Sequence, residues 1–419
     1  MAAERPEIFF SVGEPSGDVH GANLIRALRA QSAGLKAVGY GGPKMAEAGC
    51  QLHVDLTRLA VMWFARAVAH LPEFWRLVRR ADRYFRDRRP DAVVLLDYPG
   101  FNWWIARRAK ARGIPVFYYT PPQIWAWASW RVQKMRRFVD HVLCSLPFEE
   151  AWFQERGCNA TFVGHPFFDE VGREPLDEAF LTRQRAAPGR LVTILPGSRT
   201  QEVTHNLPWF LKAASLIHQA LPETRFAVAS FKPQQAEMAR RLVAKLERKP
   251  SAPPVEVFCG KTPELMYLAE CCMACSGSVS LELLYYAKPT VILYRIGRTA
   301  YFVQGLFRKV QYITLVNLLA GGGLLAADPN AEDTKQPDAE KVLFPEYLTC
   351  ADKSAEIARH IVEWLGDAAK REARIAALTE LKARVGHRGA SRRAAEYILQ
   401  RLQADPAPFL VSPSEPSPC

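Results

Sequence analysis

At 419 residues, with 49% hydrophobic and 23% charged side chains, the chain is long enough for two or three hydrophobic cores and has a globular composition. Its apolar windows are all broken by Arg, Lys, Asp or Pro before they reach bilayer length, and MAAERPEIFF lacks the parts of a signal peptide, so neither a spanning helix nor export is expected. The net charge of +12, from 55 basic against 43 acidic residues, points to a polyanionic neighbour; no nucleic-acid-binding signature is present, and basic residues interleaved with aromatics lean toward a membrane surface.

The first signal is a strand, tight turn and helix between Glu7 and Leu28. A short apolar run ends in Gly-Glu-Pro-Ser-Gly-Asp and passes into an amphipathic segment with Leu24, Ile25 and Leu28 at helical spacing. Gly13 and Gly17 supply backbone freedom, and Ser16 or Asp18 can cap the helix. In an open α/β sheet this turn lies at the carboxyl edge of a strand, which puts Glu14 at the rim of a crevice; an ordinary turn with a solvated Glu fits these residues equally well. A second strand is expected at Lys36–Tyr40, followed by Pro43 and a short helix ending near Gly49. Residues 59–80 carry Met62, Trp63, Phe64, Val68, Leu71, Phe74, Trp75 and Val78 among Arg66, Arg76, Arg79 and Arg80. That mix suits a helix pair at a membrane interface, or core helices with basic outer faces.

Asp91–Leu96 reads as a fully buried parallel strand that delivers Asp97 to its carboxyl end, and Pro115–Tyr119 as another, leading into an aromatic loop that holds Trp125. Strands at His141–Ser145 and Ala160–Val163 complete a doubly wound half that ends in Gly164-His165-Pro166. Residues 172–189 read as a connecting segment. The pattern then restarts with strands at 191–195, 225–229, 255–258, 271–275 and 289–294, and helices at 206–220, 233–248, near 263–270 and at 279–287. Two such halves predict two facing nucleotide-type domains with a cleft between them. Beyond them come a basic aromatic helix at 298–310, a strand or turn over Tyr312–Leu319, a glycine-rich acidic insertion at 321–341, helices over 352–403 and a disordered Pro- and Ser-rich tail at 404–419.

The nine cysteines are scattered apart from Cys271, Cys272 and Cys275, which lack a second pair or a nearby His and so read as buried, reduced thiols. No carboxylate pair has metal-like spacing, so neither a metal nor a cofactor is expected. The absence of a Walker lysine and of Gly-x-Gly-x-x-Gly argues against ATP hydrolysis and dinucleotide binding. Pro196-Gly197-Ser198-Arg199 leaves a strand and precedes a helix, so its amides and Arg199 can hold a phosphate or diphosphate, unless it is a plain surface turn. In the stretch Ser276-Gly277-Ser278-Val279-Ser280-Leu281-Glu282, small residues at a helix start let an anion approach the amides, and Glu282 can accept hydrogen bonds from ribose hydroxyls; a local cap by Ser278 accounts for the same residues.

Ten colinear motifs then carry a family resemblance: GEPSGD at 13–18, GYGGPKM at 39–45, LAVM at 59–62, DYPGFN at 97–102, PPQIWAW at 121–127, LPFE at 146–149, VGHP at 163–166, LPGSR at 195–199, SGSVSLE at 276–282 and NLLA at 317–320. Together they resemble the lipid-A-disaccharide synthases, from about residue 7 to about residue 400. The resemblance implies an α/β protein of the GT-B architecture, with two Rossmann-like domains and C-terminal helices. The expected division is an acceptor and membrane domain over 1–170, a UDP-sugar domain over 171–350, and helices over 351–403 that cross back to the first domain. It implies an inverting hexosyltransferase that joins UDP-2,3-diacylglucosamine to 2,3-diacylglucosamine 1-phosphate (lipid X), giving a β-1,6-linked disaccharide and UDP. The enzyme would be cytoplasmic and peripheral on the anionic inner-membrane surface, and a homodimer is left open. The chain departs from the family's usual pattern at Trp63, at Pro99-Gly100, at Pro121-Pro122-Gln123 and at Thr314-Leu315-Val316-Asn317.

On this resemblance Asp97 is the expected base and Glu14 the second carboxylate, with His165 a weaker candidate. Arg199, Ser198 and the helix start at Ser276, Gly277 and Ser278 stabilise the leaving diphosphate, Glu282 holds the ribose and Asn317 contacts the donor. Met62, Trp63, Phe64, Val68, Leu71, Phe74, Trp75 and Arg76 form the acceptor and membrane surface, with Trp125 nearby. The competing readings are another GT-B nucleotide-sugar enzyme, either an epimerase or a peptidoglycan-type transferase, and a membrane-associated scaffold of the same fold without activity.

Overall fold

A computed structural model describes residues 6–58, 71–248, 252–297, 312–321 and 342–404. The chain divides into two units, one that runs to Glu170 and resumes at His387, and one from Val171 to Gly386. Continuous runs of Val, Ile, Leu and Phe can be buried only where helices cover both sheet faces, and that is what both units build. In the first unit the strands are β1 (Glu7–Val12), β2 (Lys36–Gly41), β3 (Gln51–Asp55), β4 (Ala92–Leu96), β5 (Val116–Tyr119), β6 (His141–Cys144) and β7 (Ala160–Phe162). They form one parallel sheet in the order β3-β2-β1-β4-β5-β6-β7.

Alternate side chains feed two cores. Phe9, Val93, Leu95, Val116 and Tyr118 face helices Leu71–Arg88 and Pro99–Ala111. Ile8, Phe10, Val12, Val94, Leu96, Phe117 and Tyr119 face the other way, onto Leu24, Ile25 and Leu28 of helix Pro15–Gln31 and onto Ala394, Ala395 and Ile398 of helix Ala390–Ala404.

The second unit repeats the plan with β8 (Arg190–Leu195), β9 (Thr224–Ser230), β10 (Val255–Cys259), β11 (Cys271–Cys275), β12 (Thr290–Arg295) and β13 (Glu346–Thr349), again all parallel, in the order β10-β9-β8-β11-β12-β13. In each sheet the strand order reverses once, between β1 and β4 and between β8 and β11. Helices leave those two strands toward opposite faces, which opens a crevice beyond their carboxyl ends.

Several expectations need correction. β3 and β13 have no counterpart in the sequence reading, because Gln51–Asp55 is a partly exposed edge strand with polar residues at alternate positions, and Glu346–Thr349 is only four residues long. The connecting segment at 172–189 contains helix Glu178–Ala186, whose start is capped by Asp177 Oδ1 accepting from the Phe180 amide at 3.0 Å. The strand or turn over Tyr312–Leu319 is largely a helix, Leu315–Ala320. The helix expected from 206 starts at Thr200, because Glu202 closes its first turn. The C-terminal helices are shared between units: Ser354–Gly366 and Ala368–Val385 belong to the second, Ala390–Ala404 to the first.

Met62, Trp63, Phe64 and Val68, the helix at 298–310, nearly all of the insertion at 321–341 and the tail after Ala404 lie outside the described residues. Among the described residues, no helix is long and apolar enough to cross a membrane.

The last helix is tied down by one carboxylate. Asp169 accepts from the amides of Gly389 at 2.5 Å and Ala390 at 3.2 Å through Oδ1, and of Ser391 at 2.8 Å through Oδ2. Arg393 Nε reaches the Val163 carbonyl at 2.8 Å, passing Gly164, where a side chain would collide with the guanidinium. Asp169→Ala is expected to lower the unfolding free energy by about 2 kcal/mol, the loss of a buried charged cap. Chemical denaturation of the two proteins measures it, and a change below about 0.5 kcal/mol would deny the cap this role.

Candidate functional site

Both reversal points carry motifs that the sequence singled out. In the first unit, Val12 pairs with Leu96 in the β1–β4 register, so Gly13-Glu14 and Asp97-Tyr98 leave adjacent strands side by side. Asp97 Oδ1 accepts from the amides of Gly13 at 3.1 Å and Glu14 at 3.2 Å. The residue as a whole keeps some surface, but its Oδ2 has none and no hydrogen-bond partner.

Asp97 and Tyr98 both take left-handed φ, +45° and +38°. Such strain in non-glycine residues persists only where the surroundings over-determine it. Here Tyr118 Oη donates to the Asp97 carbonyl at 2.6 Å and Asn102 Nδ2 at 2.9 Å. Asn102 also donates to the carbonyls of Leu96 and Ser11, and its Oδ1 accepts from Ser11 Oγ at 2.7 Å, so it stitches β1 to β4. Burial pushes the Asp97 carboxyl well above the ordinary range, and the charges of Glu14 and Asp18 push the same way against the two amide bonds. Glu14 itself is exposed.

The glycines of this turn are steric requirements. A Cβ at Gly17 would lie 1.6 Å from Asp97 Oδ2 and one at Gly13 would lie 2.5 Å from the Tyr98 ring. Asp18 does not cap its own helix. It accepts from the amides of Gly42, Lys44 and Met45 at 3.0, 2.9 and 3.0 Å, and so starts helix Pro43–Glu47.

In the second unit, Leu195 pairs with Ala274, which brings Pro196-Gly197-Ser198-Arg199 beside Ser276-Gly277-Ser278. Glu202 Oε2 accepts from the amides of Ser198 at 2.9 Å and Arg199 at 3.0 Å, and Oε1 accepts from Arg199 Nη1 at 3.2 Å. The amides expected to hold a diphosphate are therefore occupied by a carboxylate of the chain itself, while the Arg199 side chain remains 79% exposed. Gly197, at φ +126°, has to be glycine because a Cβ there would meet Glu202. Ser198, Gly277 and Ser278 are exposed, and Ser276 and Glu282 are half-buried. Ser278 makes no side-chain cap; Ser280 Oγ turns back to the Gly277 carbonyl at 2.9 Å instead. Asn317 is buried, with Nδ2 on Phe344 O at 2.7 Å and on Glu346 Oε2 at 2.8 Å, and Oδ1 on the Phe344 amide. Its side chain holds the loop before β13.

His165 Nδ1 accepts from the Phe167 amide at 3.2 Å, and burial beside His20 pushes its imidazole down to about 3, so it stays neutral. Phe74 and Trp75 are half-buried, packed edge-on against Phe101 and Trp104, and Arg76 beside them is exposed; Leu71 begins the same helix. The thiols of Cys272 and Cys275 are buried and pushed up to about 12. Among the described residues no group of three or more His, Cys, Asp or Glu side chains is placed to hold a metal.

Trp125 is buried, and its Nε1 donates to Glu149 Oε1 at 3.0 Å. Glu149 Oε2 accepts from the amides of Ser145 and Leu146, both at 3.0 Å, so the motifs PPQIWAW and LPFE are two halves of one joint. Glu149, Glu202, Asn102 and Tyr118 were not singled out in the sequence. Glu202 and Glu149 had a local signal, the three-residue spacing of a helix-start carboxylate from Arg199 and from Leu146.

Burial raises Glu149 to about 7. The folded chain thus holds a proton that the unfolded chain has already lost, and stability falls as pH rises from about 4.5 to about 7. Glu149→Gln is expected to shrink that fall by up to about 3 kcal/mol, measured by denaturation at pH 5 and pH 8; an unchanged slope would contradict it. Gly17→Ala is expected to drive the Asp97 carboxylate off its two amides and to lower turnover about 100-fold or more with circular dichroism preserved. Turnover within about twofold of wild type would show that the Asp97 geometry does not matter.

Comparison with known proteins is consistent along nearly the whole chain. A family profile described as lipid-A-disaccharide synthetase matches residues 8–378. The lipid-A-disaccharide synthase of Anaeromyxobacter sp. (strain K) is 33% identical over 393 residues, covering 94% of this chain and 97% of its own. Among solved structures, a Staphylococcus aureus MnaA–UDP co-structure superposes with a TM-score of 0.61 at 12% identity, covering 98% of this chain and all of its own. The calicheamicin glycosyltransferase CalG4 does so with a TM-score of 0.55 at 15% identity, covering 97% of this chain and all of its own. At such identities these two establish the GT-B fold, and the sequence relatives establish the rest: the chain belongs to the lipid-A-disaccharide synthase family and is a glycosyltransferase of lipid A biosynthesis.

Proposed function

We propose that the enzyme transfers 2,3-diacylglucosamine from UDP-2,3-diacylglucosamine to the 6-hydroxyl of 2,3-diacylglucosamine 1-phosphate (lipid X), releasing UDP and forming the β-1,6 disaccharide. The observation that carries this reading is the content of the two reversal points. One presents the exposed carboxylate of Glu14 on a turn held by Asp97, and the other presents the exposed cation Arg199 beside Ser198 and the Ser276–Ser278 turn. Inversion needs a base to accept the acceptor's proton, a role a carboxylate can fill, and cationic or amide groups for the departing diphosphate.

Arg199 and the Ser276–Ser278 turn take the diphosphate in this reading, Glu282 takes the ribose, and Asn317 acts from behind by shaping the donor side. The UDP in the MnaA co-structure supports a UDP-linked donor. Work at the cytoplasmic face of an anionic membrane is supported by the +12 charge and by two exposed tryptophans, Trp127 and Trp130, with the Arg131 guanidinium stacked 4.5 Å from the Trp127 ring.

Mass spectrometry of the products formed from the two acylated substrates is the direct test. A tetraacyl disaccharide 1-phosphate with one UDP released per turnover is expected, and an epimerised or hydrolysed sugar nucleotide would sink the reading. Arg199→Ala is expected to lower turnover at least about 100-fold without loss of fold, as for removal of one transition-state anion partner. Near-normal turnover would remove Arg199 from the site.

A further inference from the structure

Neither oxygen of Asp97 is disposed to meet a substrate. Oδ1 is shared between the Gly13 and Glu14 amides, and Oδ2 is sealed from solvent against Gly17, where even a methyl group would lie 1.6 Å away. The backbone of Asp97 cannot swing to free them, because its carbonyl is held by Tyr118 and Asn102 while its φ sits in the left-handed region. Glu14, one bond sequence further along the turn that Asp97 holds, is exposed, and its amide is one of the two on Asp97 Oδ1.

We propose that Glu14, not Asp97, takes the proton from the acceptor hydroxyl, and that Asp97 is a positioning residue that aims Glu14 by fixing the Gly13–Glu14 turn. This rests on the glycosyl-transfer reading above. In the step, the acceptor oxygen forms its bond to C1 of the donor sugar as the bond from C1 to the diphosphate oxygen breaks. The electron pair of that bond leaves on UDP, and the hydroxyl proton passes to the Glu14 carboxylate.

The electrostatics point the same way. The groups that face Asp97 are Glu14, Asp18, Tyr98 and Tyr118, and none of them supplies a compensating positive charge. Burial and these neighbours favour the protonated form of Asp97, which makes it a poor proton acceptor, whereas the Glu14 side chain stands exposed on the same turn. The proposal departs from the assignment that the sequence favoured, since strand position alone does not reveal which oxygen is enclosed.

The test compares Glu14→Gln, Asp97→Ala and Asp97→Asn in the full chain, with disaccharide formation measured by mass spectrometry across pH and thermal unfolding recorded for each protein. Glu14→Gln is expected to lose about 10²- to 10⁴-fold in kcat and to lose the acidic limb of the kcat/KM profile. Asp97→Ala is expected to lose about 100-fold, and Asp97→Asn, which keeps the Oδ1 acceptor and the shape of a protonated carboxyl, to recover to within about tenfold of wild type with the acidic limb intact. If Asp97→Ala does not fold, the other two variants decide alone. Asp97→Asn as inactive as Glu14→Gln was expected to be, with Glu14→Gln itself within about tenfold of wild type, would overturn the proposal and leave the transfer reading standing. A wild-type enzyme that makes no disaccharide from the acylated pair would bring down the transfer reading, and this proposal with it.

Discussion

Two amide hydrogen bonds to one oxygen of Asp97 join the ends of β1 and β4, and the first reversal point depends on them. A parallel sheet leaves the ends of its strands without backbone partners, and at a reversal no helix covers the gap. A buried carboxyl group there closes the turn, and its burial favours the protonated form. The surrounding residues follow from that choice. Gly13 and Gly17 must lack side chains, Tyr118 and Asn102 must hold the strained carbonyl, and Glu14 is left facing outward on a rigid mount.

The same device recurs through the chain. Asp18 starts the helix after β2, Glu149 closes the turn after β6, Asp169 starts the last helix, Glu202 closes the turn after β8, and Glu346 holds Ile313, Thr314 and Asn317 ahead of the helix Leu315–Ala320. Each carboxylate satisfies amides that a helix start or strand end leaves unpaired. Several of the family's motifs are thus explained as joints: GYGGPKM serves Asp18, PPQIWAW serves Glu149, and VGHP clears the way for Arg393 beside Asp169. These joints keep the chemical residues few and the scaffold around them stiff, as a site built on rigid elements requires.

Much of the architecture was legible because parallel strands buried on both faces read as continuous apolar runs, and Asp91–Leu96 or Leu191–Leu195 could hardly be anything else. The strands that escaped were those without that signature, the polar edge strand β3 and the four-residue β13. The placement of the candidate residues at strand ends was legible too, since Glu14, Asp97, Ser198, Arg199 and Ser276 each follow a strand. Residues that act through burial were not. Asn317 read as a donor contact and Trp125 as a site aromatic, yet both have their polar atoms committed inside the protein.

The sequence by itself determined the α/β alternation, the strand ends at which polar residues gather, and the family, because local periodicity and ordered motifs survive in one dimension. Only the tertiary structure decided the strand order, hence where each sheet reverses, and which oxygen of which carboxylate faces outward. Those depend on contacts between residues tens of positions apart: the 84-residue separation of Gly13 from Asp97 and the 220-residue separation of Asp169 from Gly389 are invisible to any local pattern.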